Sequence, residues 1–381
     1  MRSDKDLVVY LVTTGPGDSL FSLMGHSALW VSGAGRDSQI YNWGAFDSDQ
    51  EDFVWKFLEG TLDYELALEP FSKTRRRAEQ GGRPMVAQRL ALPPEAQERL
   101  LAALDENTRP ENRPYLYHWH HDNCATRVRD ILDYALDGTM GFLESESRES
   151  TVRDEILRHL GPDPAVWMGW HFMASSYAEE TYNGWSELHI PVRLMEALDR
   201  VQVEWADGTT RPLVERSCVK HEGSHDWAPE ERPDHAVLLS GIGLAWGALI
   251  AAMGRQRSRW WRGASASAVA LFGLLPGVLG STIFFLSIAS RMEGFGPNEN
   301  WFHASPLTLL LLPAAWALMR RRGPQLKRWS QLTLGMAIIS TIGVILDPFL
   351  RQENGDLIGL FWPPLVATAW LFHRCTKEPV E

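Results

Sequence analysis

One feature limits the fold of this chain more than any motif: its apolar residues are divided sharply along its length. Beyond about Arg232, stretches at residues 236–253, 265–288, 306–319, 332–346 with a few flanking positions, and 357–372 alternate with short polar loops. Each approaches the roughly 20 mostly apolar residues that a helix needs to cross a bilayer core. The third is short, and Pro276, Pro313, Pro363 and Pro364 fall inside the second, third and fifth. Membrane helices tolerate such prolines where neighbours satisfy the freed carbonyls. Trp260, Trp261, Trp301, Trp329 and Trp362 mark expected membrane–water interfaces. Runs of this kind in series argue against the buried helical core of a soluble protein. Up to Arg232 the sequence is charged, turn-rich and globular in texture, so two domains are expected, residues 1–230 and residues 231–381.

The loops orient the membrane half. Arg255, Arg257, Arg259 and Arg262 follow the first span, and Arg320, Arg321, Arg322, Lys327 and Arg328 follow the third. The loops after the second and fourth hold Glu293, Asn298, Glu299, Glu353 and Asp356. Because basic loops stay in the cytoplasm, the C-terminus is expected there and the N-terminal domain outside. Export of that domain needs a signal sequence, which residues 1–14 do not supply. Their apolar run, 7–12, is too short and reads as a strand, so the start is expected to be truncated or engineered. A net charge of −11 excludes nucleic acid as a partner, since phosphate binding needs a basic face. Cys124, Cys218 and Cys375 have no paired spacing, so neither a zinc site nor a disulfide framework is expected, and no cofactor is indicated.

The first half reads as an α+β domain. Strands are expected at 7–13, 26–32, 39–43, 85–92 and 115–119, with helices at 94–106 and 123–136. A hairpin is expected from 201–205 and 211–218 around Asp207-Gly208. Residues 223–233 are polar and read as the linker.

Cys124 opens a helix behind Asp122 and Asn123, both good N-cap residues. A thiol in the first turn feels the positive end of the helix dipole, which favours thiolate. A small buried hydrophobe is the competing reading, and the local context leaves both open. A thiolate nucleophile needs a base and a group that holds the base in one tautomer. Candidates for the base are His26, on an otherwise apolar strand, and the cluster His118, His120 and His121, which reads better as a solvated or hydrogen-bonded edge. Spacing alone cannot lift His26 above a structural role.

The motifs Thr14-Gly15-Pro16-Gly17-Asp18, Met24-Gly25-His26-Ser27-Ala28, Tyr41-Asn42-Trp43-Gly44-Ala45-Phe46-Asp47, the stretch from Gly60 to Tyr64, Pro110-Glu111-Asn112-Arg113 and Asp122-Asn123-Cys124-Ala125-Thr126-Arg127-Val128-Arg129-Asp130 run through about the first 136 residues. Together they resemble the Lnb-type bacterial lipoprotein N-acyltransferase family, and the five-span tail resembles that of its membrane-bound members. Trp43 is a departure, because relatives often carry another aromatic there. The arrangement is also similar to the permuted papain-like thiol enzymes of the lecithin–retinol acyltransferase group. The resemblance implies a permuted papain-like extracytoplasmic domain followed by an all-α transmembrane bundle of about five helices. It implies Cys124 as nucleophile, His26 as base and Asn42 as orienting residue, with Asp47 and Asp122 as fallback orienters. Arg127, Arg129 and Asp130 would brace the site, meet a phosphate, or stand as helix-surface charges. The activity it implies is acyl transfer from a phospholipid, through a thioester, to the N-terminal amine of a diacylated lipoprotein at the periplasmic face of the bacterial inner membrane. A phospholipase or cysteine peptidase, and a non-catalytic lipid or lipoprotein binder, are the rival readings. Residues 144–219, with Trp167, Trp170, His171, Tyr182 and Trp185, fall outside these motifs, and their aromatics read as core packing, a membrane-surface contact or an acyl groove. Cys218 and Cys375 have no expected role.

Overall fold

A computed structural model describes residues 6–47, 51–229, 231–256, 258–320 and 323–377. Arg257, Arg321 and Arg322 of the basic loops, Glu230 of the expected linker and residues 1–5 of the opening segment lie outside the described residues.

The first unit comprises Met1–Val166 and Thr181–Arg232. Its frame is an antiparallel sheet of seven strands: β1 (Val8–Thr14), β2 (His26–Gly33), β3 (Arg36–Ala45), β4 (Asp63–Glu69), β5 (Met85–Leu90), β6 (Pro114–Leu116) and β7 (Val214–His221). The order across the sheet is β7-β5-β1-β2-β3-β4-β6. Side chains alternate between faces, as the strand period of two requires. Val9, Leu11, Leu29 and Val31 pack with Leu100 and Leu104 of the helix Pro94–Asn107 and with Ala125, Val128 and Leu132 of the helix Cys124–Ala135. Val12, Ala28, Ile40 and Ala87 face the other way, against Ala78 of the helix Phe71–Gln80. On that side Trp30 is stacked between Tyr10 and Phe71, with centroids at 4.8 and 4.2 Å.

Three local expectations differ from what forms. The strand expected at 115–119 stops at Leu116, because an isolated bridge from His118 to Asp122 turns the chain straight into the Cys124 helix. The expected hairpin is short, Gln202–Glu204 against Thr210–Pro212, and the chain then leaves it to become β7 on the far side of β5. The polar stretch after Gly223 is pinned rather than slack. The Ser224 and His225 amides donate to the Gly82 carbonyl, Arg158 Nη1 donates to Pro229 O at 2.8 Å, and Arg232 pairs with Asp154 at 3.1 Å.

The second unit comprises Trp167–Glu180 and Pro233–Glu381. Among the described residues, four helices are long and apolar enough to cross a membrane: Ala236–Gly254, Arg259–Ala289, Pro324–Phe349 and Gly355–Lys377. The short third stretch of the sequence is a bent element, Glu293–Phe302 and Pro306–Arg320 meeting at 46°, which brings the total to five when it counts as one span. Small residues let backbones approach closely. Gly243 and Gly247 pack against the turn around Gly359, Leu360 and Pro363 of the last helix, and a side-chain carbon at Gly247 would lie 3.0 Å from Pro363. Leu238, Leu244, Leu271, Leu275 and Ile345 are exposed, as lipid-facing residues should be.

Of the unassigned aromatics, Trp167 is buried with this unit beside His171 at 4.9 Å, and His171 Nε2 lies 2.8 Å from Asp356 Oδ1. In the sheet unit Tyr182 is buried against His189, and Trp185 lies under the Arg129 guanidinium. Packing accounts for these three.

Candidate active site

The register of the central hairpin sets the first two members. Leu29 opposes Tyr41, which places Ala28 opposite Asn42 and His26 diagonally across from Asn42 on the same face. His26 Nε2 lies 2.6 Å from Asn42 Oδ1. An amide oxygen can only accept, so Nε2 carries the proton and Nδ1 is left to face the thiol.

The third member comes from the helix. Asn123 caps it: its Oδ1 accepts from the Ala125 and Thr126 amides at 2.8 and 3.0 Å, and Thr126 Oγ1 accepts the Asn123 amide in return. Asn123 Nδ2 donates to the carbonyls of Trp119 at 2.8 Å and His189 at 3.0 Å, which ties the helix start to a distant segment. Cys124 therefore occupies the first helical position, where its own amide has no carbonyl four residues back within the helix.

Gly44 makes the meeting possible. Its φ of +116° suits glycine alone, and a Cβ there would lie 3.3 Å from His26 Cε1 and 3.6 Å from Cys124 Cβ. Imidazole and thiol occupy the space a side chain would fill.

The electrostatics follow from this contact. Burial pushes the Cys124 thiol up, but the His26 charge, a hydrogen bond from His26 and the amides of Ser27 and Ala125 outweigh it and leave the thiol below its ordinary value. Burial likewise pushes His26 down, and the sulfur, with smaller help from Asn42, carries it above the usual histidine value despite opposition from Arg83. Both directions favour a thiolate–imidazolium pair.

A series of aromatic rings lies near the sulfur. Burial first, and then negative charge at Cys124 among other groups, holds the hydroxyls of Tyr64, Tyr115 and Tyr117 above the usual tyrosine value. Tyr117 stacks on Tyr64 at 4.4 Å, Tyr64 meets Phe46 at 4.9 Å, and Phe46 meets Phe21 at 5.2 Å. Phe21 is 46% exposed, so this series of rings runs from the buried tyrosines to solvent.

The structure brings His26, Asn42 and Cys124 together. Arg127 and Arg129 are engaged elsewhere. Arg127 forms a bidentate pair with Asp122 and lies 4.4 Å over the Tyr115 ring. Arg129 is buried, bonds Asp130 at 2.7 Å and lies 4.2 Å over Trp185. Their places are those of bracing residues, and Asp122 is taken up by Arg127. Of the histidine cluster, His118 Nδ1 accepts the amides of His120 and His121, which shapes the turn into the helix. Sequence reasoning passed over Arg83 and the tyrosines, because nothing in their local context sets them apart.

A sheet domain that brings an imidazole to both a thiol and an amide, in a chain whose described residues hold four or five helices able to cross a bilayer, defines a membrane protein with a polar cluster in its globular domain. The chain belongs to the Lnb family: residues 3–156 match the Lnb N-terminal periplasmic domain, and residues 237–356 match the Lnb transmembrane domain. It is thus a lipoprotein-processing membrane protein whose N-terminal domain is periplasmic. No curated protein and no solved structure matches it significantly.

Proposed function

We propose that the protein is a lipoprotein N-acyltransferase of the bacterial inner membrane, with Cys124 as nucleophile, His26 as general base and acid, and Asn42 as the residue that orients His26. The reading is carried by one observation: a thiol held below its ordinary value by an imidazole whose far nitrogen is fixed 2.6 Å from Asn42. The order histidine, amide, cysteine along the chain is that of the permuted papain-like enzymes which the motifs resemble.

In the first half-reaction the Cys124 thiolate attacks an ester carbonyl of a phospholipid. The oxyanion that forms lies at the helix start, where the Cys124 amide, with no carbonyl four residues back within the helix, can donate to it. Collapse breaks the ester C–O bond, His26 gives its proton to the departing glycerol oxygen, and a lysophospholipid leaves an acyl-thioester. In the second half-reaction the neutral N-terminal amine of a diacylglyceryl-cysteine lipoprotein attacks the thioester. His26 takes the amine proton, the C–S bond breaks, and an amide and the thiolate–imidazolium pair result.

The aromatic series supports this reading through its outer end, because exposed Phe21, packed on Phe46, offers an acyl chain an apolar contact. Moving a chain from bilayer to water costs about 0.8 kcal/mol per methylene. Membrane-spanning helices on the same chain keep the domain near its lipid substrates. The test is intact mass spectrometry of the purified full chain with phospholipid, followed by a diacylated lipopeptide. A hydroxylamine-sensitive adduct on Cys124 that is lost as triacylated product appears is the expected result. Free fatty acid alone would make the protein a hydrolase, and no adduct would make it a binder.

A further inference from the structure

One cation beside the site has an N–H with no partner. Arg83 lies just before β5, whose Met85 pairs with Thr14, and Thr14 in turn pairs with His26. Its Nε donates to the Gly15 carbonyl at 2.8 Å, while Nη2 is buried without a hydrogen-bond partner. The stem is held by close approach to glycines: a side-chain carbon at Gly17 would lie 2.8 Å from Arg83 Cδ, and one at Gly81 would lie 3.4 Å from it. The carboxylate of Asp18, on the same β1–β2 loop as Gly15 and Gly17, is taken by His225 Nε2 at 2.9 Å. The contrast with Arg127 and Arg129, each paired to a carboxylate, is direct. Arg83 also acts on both reacting groups: its charge opposes protonation of His26, and negative charge at Cys124 in turn raises Arg83 against the lowering by burial.

A buried guanidinium N–H left unpaired is costly, and a guanidinium is suited to the oxygens of a phosphate. In a glycerophospholipid the phosphate is only a few bonds from the ester carbonyl, so a cation separated from His26 by one strand is well placed to hold it. We infer that Arg83, through its unpaired Nη2, binds the phosphodiester of the acyl donor and sets the ester against Cys124. This rests on the reading of the donor as a phospholipid.

The test compares the full chain in detergent with dioleoylphosphatidylglycerol and with dioleoylglycerol, which carries the same acyl esters and no phosphate. The readout is the rate of acyl-adduct formation on Cys124. In Arg83→Gln the ratio of the phospholipid rate to the diacylglycerol rate is expected to fall about 10–100-fold, the effect of losing one charge-assisted hydrogen bond. Arg83→Lys, which keeps charge and stem, should fall between. Equal losses with both donors would place Arg83 in support of the thiolate or the fold and overturn the assignment. A second arm uses a dialkyl ether phosphatidylglycerol, which cannot donate an acyl chain, to protect Cys124 from iodoacetamide. Protection lost in Arg83→Gln supports the phosphate site even if no ester donor acylates the protein, an outcome that would sink the transferase reading alone. Equal protection of both proteins, or protection of the wild type by inorganic phosphate as effectively as by the lipid, would overturn the lipid assignment.

Discussion

The two units bury polar groups differently. In the helical unit a polar layer is turned inward. Asn298 Nδ2 donates to the carbonyls of Phe172, Met173 and Ala174, the Glu299 carboxylate accepts the amides of Arg351 and Gln352, Asn354 Nδ2 donates to Asn300 Oδ1, and His171 bonds Asp356. Asn354 Oδ1 excepted, the hydrogen bonds of these groups go to holding loops against helix ends. The sheet unit also buries paired groups, Glu155 with Arg158 and Arg193 among them, but one set is arranged differently: a thiol facing an imidazole, the amide at the Cys124 helix start, and Arg83 Nη2. Buried polarity by itself therefore does not mark a reactive site. What marks it is valence left open beside a charge whose state the neighbours have shifted.

That contrast can be broken or sharpened by three substitutions. The largest effect belongs to His26→Gln. Burial is then opposed only by the amides of Ser27 and Ala125, so the pH at which iodoacetamide alkylation of Cys124 is half-maximal should rise. Turnover should fall about 10²–10⁴-fold, as for loss of a general base. An unchanged alkylation midpoint would mean that the imidazole does not act on the sulfur. Asn42→Ala comes next. With one hydrogen bond to the imidazole lost, turnover should drop about 10–100-fold, while Arg83-dependent protection by the ether lipid is retained. Full activity in this variant would remove Asn42 from the site. Asn298→Ala should be the mildest for chemistry. It strips three carbonyls of their donor and should destabilise the helical unit by about 1–3 kcal/mol in thermal unfolding, with no shift in the Cys124 alkylation midpoint. A shift there would show that the polar layer serves the reaction.

Much of this was legible in the sequence, for identifiable reasons. Alternating and helical periodicities are local, and they placed β1, β2, β5 and the Pro94–Asn107 and Cys124–Ala135 helices within one or two residues of where they form. The apolar stretches foretold the membrane-crossing helices, while the bend before Pro306 depends on packing that no composition window contains. His26, Asn42 and Cys124 were readable through motifs, and a diagonal across one hairpin then explains why two of them meet. Arg83 was not. Its meaning depends on Gly17 and Gly81 admitting its stem and on the lack of a partner for Nη2 among the described residues, both properties of three-dimensional neighbours. Arg127 and Arg129, better placed in sequence, turn out to be engaged by Asp122 and Asp130.

The second bond of the capping asparagine bears on the order of events in the cell. Asn123 Nδ2 is anchored partly on the His189 carbonyl, sixty-six residues downstream. A polypeptide that has emerged as far as Ala135 can wind that helix but lacks this anchor for its capping residue. The cap is therefore completed late, once the downstream segment has been delivered and folded.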